Sequence, residues 1–206
     1  MHIVFVRHGE TAYNASGRYQ GHTQISLNER GFQQAHVVAQ RLRYTRFDAL
    51  YSSDLLRAIQ TADAIAQYHT LPVIQHAGFR EIDVGLWEHL TVTEIATNYP
   101  QHFAIYKQTP GRAVYTGGES YAHMQLRAMS ALMEVIDQHP PEATIGIVCH
   151  GGTIRALVCA FLHIDIDYYP QMWIDNCAIT TAFYQQSVFR LGTLNDNAHA
   201  EPDWRE

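Results

Sequence analysis

Near the start of the chain a short, largely apolar run, His2-Ile3-Val4-Phe5-Val6, ends on Arg7-His8-Gly9-Glu10-Thr11. β-Branched and aromatic residues in so short a run, closed by a turn signal, specify a buried strand. The arrangement returns in the second half, where Thr144-Ile145-Gly146-Ile147-Val148-Cys149 leads into His150-Gly151-Gly152-Thr153. Each strand delivers a histidine to its carboxyl end, and that edge of an open α/β sheet is where ligands bind. Helical patterns alternate with the strands. The expected fold is therefore α/β, a three-layer sandwich whose mainly parallel central sheet is flanked by helices on both faces.

Between the two histidines, Phe32, Ala35, Ala39 and Leu42 recur at helical spacing behind a capping box formed by Ser26 and Glu29. Residues 49–53 read as a short strand. Ser53 or Asp54 then caps a helix whose stripe is Leu55, Ile59, Ala62 and Ile65, with Arg57 in its first turn. Residues 71–74 read as an edge strand, because Pro72 bars a central position. From 79 to about 120 glycines and prolines break the rhythm, which reads as a lid-like insertion over the site. A helix starting at Ser120 carries Met124, Ala128, Leu132 and Val135 and stops before Pro140-Pro141; a further helix follows the second histidine, and 177–191 reads as a terminal hairpin. The polar tail after Asn195 is expected to be mobile. At 206 residues the chain suits one domain, spanning 1–206.

The net charge is −6, all but one of the 14 basic residues are arginine, and they form no run. That argues against nucleic-acid and anionic-membrane partners and leaves a small soluble ligand. The lone lysine, Lys107, follows no phosphate-loop glycine pattern. Cys149, Cys159 and Cys177 are odd in number and sit among apolar residues, as reduced thiols of a cytoplasmic protein do. No apolar run approaches bilayer-crossing length. Despite 13 histidines there is no His-Glu-x-x-His or Cys-x-x-Cys pattern, so neither a metal nor another cofactor is expected. His36, His69, His139 and His199 read as solvated surface residues. Residues 168–173 offer an apolar surface for a homodimer contact, and equally suit packing on the core.

If the sheet forms as expected, Arg7, His8, His150 and the first turn of the Arg57 helix meet at one edge. Guanidinium forks, imidazoles and a helix N-terminus together suit a doubly charged tetrahedral anion. The ordered blocks are Arg7-His8-Gly9-Glu10-Thr11 with Asn14, Gly17-Arg18 and Gln20-Gly21; Ser52-Ser53-Asp54-Leu55-Leu56-Arg57-Ala58; Glu81 to Glu88; and Cys149-His150-Gly151-Gly152. Taken together they resemble the histidine phosphatase family, in its phosphoglycerate mutase-like branch.

The resemblance implies that His8 is the nucleophile, forming a phosphohistidine, and that Arg7, Arg57 and His150 bind the oxygens of the transferring group. It makes Asn14 an added donor, places Gln20, Gly21 and Gly151 in the phosphate and substrate pocket, and makes Glu81 the proton donor to the leaving oxygen. Residue types alone do not separate Glu81 from Asp83 or Glu88. Gln24 and Ser26 depart from a frequent Asp-x-Pro of the family, and His89 stands where glycine is usual. The segment 79–88 and Gly117-Gly118-Glu119-Ser120 are similar to the phosphatase members, which favours a metal-independent phosphomonoesterase acting on a small phosphorylated metabolite. The alternatives are mutase-type phosphoryl transfer and a non-catalytic phospholigand-binding protein.

Overall fold

A computed structural model describes residues 1–200. Its strands are β1 (His2–Arg7), β2 (Ala49–Ser52), β3 (Val73–Gln75), β4 (Thr144–Cys149), β5 (Ile179–Gln185) and β6 (Val188–Asp196). They form one sheet in the order β3-β2-β4-β1-β5-β6. The first four run parallel, and β5 and β6 return antiparallel. The helices are α1 (Ala12–Ala15), α2 (Glu29–Leu42), α3 (Leu56–Ala66), α4 (Val92–Asn98), α5 (Pro100–Gln108), α6 (Tyr121–Asp137) and α7 (Gly151–Phe161). The α/β sandwich expected from the sequence is the fold observed.

The alternation of β1 builds both layers, since successive side chains leave a strand on opposite faces. Val4 and Val6 pack with Ala35, Val38, Ala39 and Leu42 of α2 and Ala58, Ala62 and Ile65 of α3. Ile3 and Phe5 pack with Ala128, Leu132 and Val135 of α6 and Ile154, Leu157 and Phe161 of α7. β1 and β4 are adjacent and pair Arg7 with Cys149, so the residues that follow, His8 and His150, leave the sheet side by side. The His8 amide donates to the Cys149 carbonyl (3.0 Å), carrying the pairing one residue beyond the strands.

Local details depart from the sequence reading for identifiable reasons. Asn28, not Ser26, caps α2: its side-chain oxygen accepts from the Gly31 amide (2.7 Å). Phe32 is 48% exposed, because α2 presents Gly31 inward instead. A Cβ on Gly31 would lie 2.0 Å from the Glu10 carbonyl oxygen, and one on Gly9 2.5 Å from the Gly31 oxygen, so the His8 loop and α2 touch backbone to backbone. Neither Ser53 nor Asp54 is the N-cap of α3, which is Leu55. The free amides there are met by neighbours, Leu56 by Gln24 Oε1 (2.8 Å) and Leu55 by Ser53 Oγ (3.3 Å). Ile59 is half-buried rather than core.

The 79–120 region is more regular than its composition implies, containing α4, α5 and a 3₁₀ turn at Gly85–Trp87. It closes its own cluster around Trp87, whose ring meets Tyr115 edge-on at 4.8 Å between centroids. His69, His139 and His199 are half-buried rather than solvated, and only His36 is exposed. Within 168–173 the two expected placements divide: Tyr169 is buried, while Tyr168 and Trp173 are more than half exposed. Of the tail after Asn195, Asn197 bonds the Asp175 carboxylate and His199 the Cys177 carbonyl, so this part is tied down; residues 201–206 lie outside the described residues. No helix among the described residues is long and apolar enough to cross a membrane.

Candidate active site

The carboxyl edge of the sheet opens into a cleft of about 340 Å³. Of the residues singled out from the sequence, Arg7, His8, Asn14, Gln20, Gly21, Arg57, Glu81 and Gly151 line it. His150 does not; it is fully buried behind His8, the two rings 5.2 Å apart.

Two amides of the His8 loop are held from adjoining helices. The Gly9 amide donates to Thr61 Oγ1 of α3 (3.1 Å) and the Glu10 amide to Gln34 Oε1 of α2 (2.8 Å). His8 Nδ1 lies 2.7 Å from the Gly9 carbonyl oxygen. A carbonyl only accepts, so Nδ1 carries the proton and Nε2 keeps its lone pair. His150 Nε2 lies 2.8 Å from Ser53 Oγ, which accepts from the Leu55 amide, and among the described residues the buried Nδ1 of His150 has no hydrogen-bond partner. Ser53 is thus a positioning residue, read from the sequence only as a helix cap.

The charge around these rings is fixed by arginine. Arg57, fully buried at the start of α3, donates through both terminal nitrogens to the Thr23 and Gly21 carbonyls (3.0 and 2.9 Å). Among the described residues its Nε has no hydrogen-bond partner. Burial lowers its pKa to about 10, Glu81 opposing and Arg7 adding to the shift, so it remains a cation at neutral pH. Arg7 donates to the Ile174 carbonyl. The backbone of α7 starts at Gly151, directly after His150, so the positive end of that helix also faces the cleft.

Burial, then the charge of Arg57, then that of Arg7 hold His8 well below the ordinary histidine value. Burial and Arg57 do the same to His150. Both rings are neutral at pH 7. Phosphoenzyme formation from an aryl phosphate, corrected for the ester's own protonation, should therefore show no acid limb near pH 6.5, the limb falling at lower pH; a limb at 6.5 would contradict this placement. Stability carries the matching sign. Below about pH 6.5 the unfolded chain protonates these two rings while the native protein does not. Native stability should fall with pH by up to ~1.4 kcal/mol per pH unit per histidine until the folded values are reached.

Glu81 is the carboxylate in the cleft; Asp83 and Glu88 do not line it. Asp83 accepts from the Gly85 amide (2.9 Å). Glu88 accepts from the His22 amide (2.6 Å) and the Thr23 hydroxyl (2.7 Å), bracing the loop that carries Gly21. Glu81 accepts from the Gly152 amide (3.0 Å) and the Ile82 amide (2.9 Å), and its carbonyl receives His22 Nε2 (2.8 Å). A Cβ at Gly152 would lie 2.2 Å from Glu81 Oε1, so only glycine admits the carboxylate there. Asn14 Oδ1 accepts from the Thr11 amide (3.2 Å), and the Thr11 hydroxyl, with a single proton, lies 3.0 Å from both Asn14 Oδ1 and Gln20 Oε1. The Thr11 amide fixes the Asn14 oxygen and leaves the Asn14 NH₂ for the cleft.

The chain matches the model of the histidine phosphatase superfamily, branch 1, over residues 3–197. It belongs to that superfamily. Phosphoserine phosphatase 1 of Hydrogenobacter thermophilus is 34% identical over 96% of this chain and 93% of its own length. A protein named metal-independent phosphoserine phosphatase from Arabidopsis thaliana is 40% identical over 75% of this chain and 66% of its own. Among solved structures, a phosphoserine phosphatase mutant of Entamoeba histolytica in complex with phosphoserine superposes with a TM-score of 0.88 at 30% identity, covering 97% of this chain and 99% of that one. This histidine phosphatase is accordingly a phosphoric monoester hydrolase.

The sequence reading gave no site role to Gly152, Tyr121, Tyr169 or Arg155, all of which line the cleft. The signal for Arg155 was present, since it lies one helical turn after Gly151 and its Nε donates to the Gly151 carbonyl (3.1 Å). His89 has φ +69°, the conformation a glycine would adopt freely; its Nδ1 meets Tyr13 OH at 2.9 Å and its carbonyl receives Arg18 (2.6 Å).

Proposed function

We propose that this phosphatase works without a metal through a phosphohistidine on His8. The observation that carries the reading is the tautomer lock. With Nδ1–H held on the Gly9 carbonyl, Nε2 is the only nitrogen of His8 able to attack, in a ring that lines the cleft together with Arg7 and Arg57. Nε2 forms a bond to phosphorus as the ester P–O bond breaks, and the positive charge that develops on the ring rests against the Gly9 carbonyl oxygen. Arg7, Arg57, the Asn14 amide and the Gly151 amide supply donors to the phosphoryl oxygens, and the His150 ring packs behind His8. Phosphoryl transfer depends mainly on such positioning and charge stabilisation. The Glu81 carboxyl protonates the departing alkoxide; as carboxylate it then takes a proton from water, whose oxygen attacks phosphorus and returns His8 to its starting state.

The whole chain serves this one activity as a single domain, with the 79–120 region as its cover. The three buried thiols are unpaired, which supports a reducing, cytoplasmic setting.

Brief incubation with a ³²P-labelled ester and acid-free quenching should trap a label that is lost in acid and kept in base, as a phosphoramidate is. Turnover should persist in excess chelator. A base-labile label, or activity restored only by added divalent cation, would overturn the mechanism. Supplying 3-phosphoglycerate with a bisphosphoglycerate primer separates hydrolysis from mutase transfer: free phosphate is expected, and efficient isomerisation with little phosphate would reverse the assignment.

A further inference from the structure

Glu81 stands in a stretch, 80–84, that belongs to no helix or strand, so no regular ladder fixes its backbone. Side chains from remote segments hold it instead. Thr153 Oγ1 donates to the Arg80 carbonyl (3.0 Å) and His22 Nε2 to the Glu81 carbonyl (2.8 Å). Glu119 brackets Asp83: its carboxylate accepts from the Asp83 amide (3.2 Å) and its own amide donates to the Asp83 carbonyl (2.9 Å). Arg127 of α6 joins these supports. Its Nη1 lies 2.9 Å from the Gly78 carbonyl oxygen, 3.2 Å from that of Arg80 and 3.4 Å from that of Ala77. Its Nη2 donates to the Glu81 carbonyl (3.3 Å) and to Glu119 Oε1 (2.5 Å). A Cβ on Gly78 would lie 2.4 Å from the Ala131 Cβ, so the 3₁₀ turn Ala77–Phe79 sits flush on α6, one helical turn along from Arg127.

We infer that Arg127, which does not line the cleft, is a positioning residue for the general acid: its guanidinium fork fixes the peptide that carries Glu81. The inference rests on the mechanism proposed above and adds a residue to it. The carboxyl itself has two ties. One, to the Ile82 amide, is local and moves with the stretch; only the bond to the Gly152 amide connects it to α7. The angle at which the side chain enters the cleft is therefore set by its backbone, and that backbone hangs on Arg127. Charge is not what Arg127 contributes, since Glu119 pairs with it. The planar fork is, because its two nitrogens reach carbonyls on one side and a carboxylate on the other, which a single ammonium cannot do. A general acid works only within hydrogen-bond reach of the leaving oxygen, and a displacement of about 1 Å costs on the order of 10²-fold.

The test measures single-turnover phosphorylation of the protein by an alkyl ester, O-phosphoserine, and by an aryl ester, p-nitrophenyl phosphate. Arg127→Met should slow the first by about 10- to 100-fold and the second by less than about threefold, the leaving-group pattern expected of a misplaced acid. Arg127→Lys should show the same pattern in weaker form. In the Glu81→Gln, Arg127→Met double variant the alkyl ester should react no more slowly than in Glu81→Gln alone, because a residue that acts only through Glu81 has nothing left to position.

A general weakening of the fold would slow both esters alike and would multiply with Glu81→Gln; either result overturns the inference. So does an Arg127→Lys protein with wild-type rates for both esters, and that variant decides the matter should Arg127→Met not fold. Glu81→Gln by itself separates the two levels. If it spares the aryl ester while the Arg127 variants do not, only the role of Arg127 fails; if it slows both esters equally, the assignment of Glu81 as the acid fails first.

Discussion

His8→Ala should abolish both phosphoenzyme labelling and turnover, with a loss on the order of 10⁴-fold or more, because it removes the nucleophile and not merely a charge. Its fold should survive. The loop that carries His8 is held by its own backbone: the His8 amide donates to Cys149, the Gly9 amide to Thr61, the Glu10 amide to Gln34, and the Asn176 side chain to the His8 carbonyl (2.9 Å). None of these bonds uses the imidazole. The measurement is single-turnover labelling with a ³²P ester alongside a thermal melt. A folded His8→Ala protein that still acquires an acid-labile label would transfer the nucleophile's role to another residue, and His150, 5.2 Å away between ring centroids, would be the first candidate.

The second large effect concerns Glu81 and depends on the leaving group. Alkoxides depart poorly without a proton, whereas phenolates with acidic conjugate acids depart unaided. Glu81→Gln should slow phosphorylation by an alkyl phosphate by about 10²- to 10⁴-fold and by an aryl phosphate by less than about tenfold. Glutamine keeps the shape and an acceptor for the Gly152 amide, so the cleft should stay intact. Phosphoenzyme formation must be followed directly, since the proposed mechanism also has Glu81 act on the attacking water in the second half-reaction. Equal slowing for both ester classes would mean that Glu81 shapes the pocket, and with Asp83 and Glu88 engaged in loop amides the proton would have to come from outside these carboxylates.

The central layer was legible because it is written in local patterns. The β1 and β4 runs, each ending on histidine, state both the strand and its catalytic edge, and Arg57 follows from its place in the first turn of a helix. What sequence pattern could not reach depends on contacts between distant segments. The cap of α3 comes from Gln24 across a loop, and Phe32 is turned outward because Gly31 must touch the Glu10 backbone. The partial burial of His69, His139 and His199 likewise arises from neighbours remote in sequence. In the site, Glu81 was named by resemblance, and only the Gly152 amide and the engagement of Asp83 and Glu88 elsewhere give that choice a physical reason. Arg155 escaped notice because an arginine on an otherwise apolar helix carries no pattern of its own until Tyr169 is seen beneath it.

The adjacency of β1 and β4 ties the reacting groups to the part of the molecule that opens last. Strands at the centre of a sheet exchange their amide hydrogens only when the whole domain comes apart, while covering segments open at far lower cost. His8 and His150 extend two neighbouring central strands paired from His2 with Thr144 to Arg7 with Cys149. The two imidazoles are thus held together by the central ladder and not by the 79–120 region. Separating them means breaking the β1–β4 pairing, and the pair returns in register when that ladder re-forms.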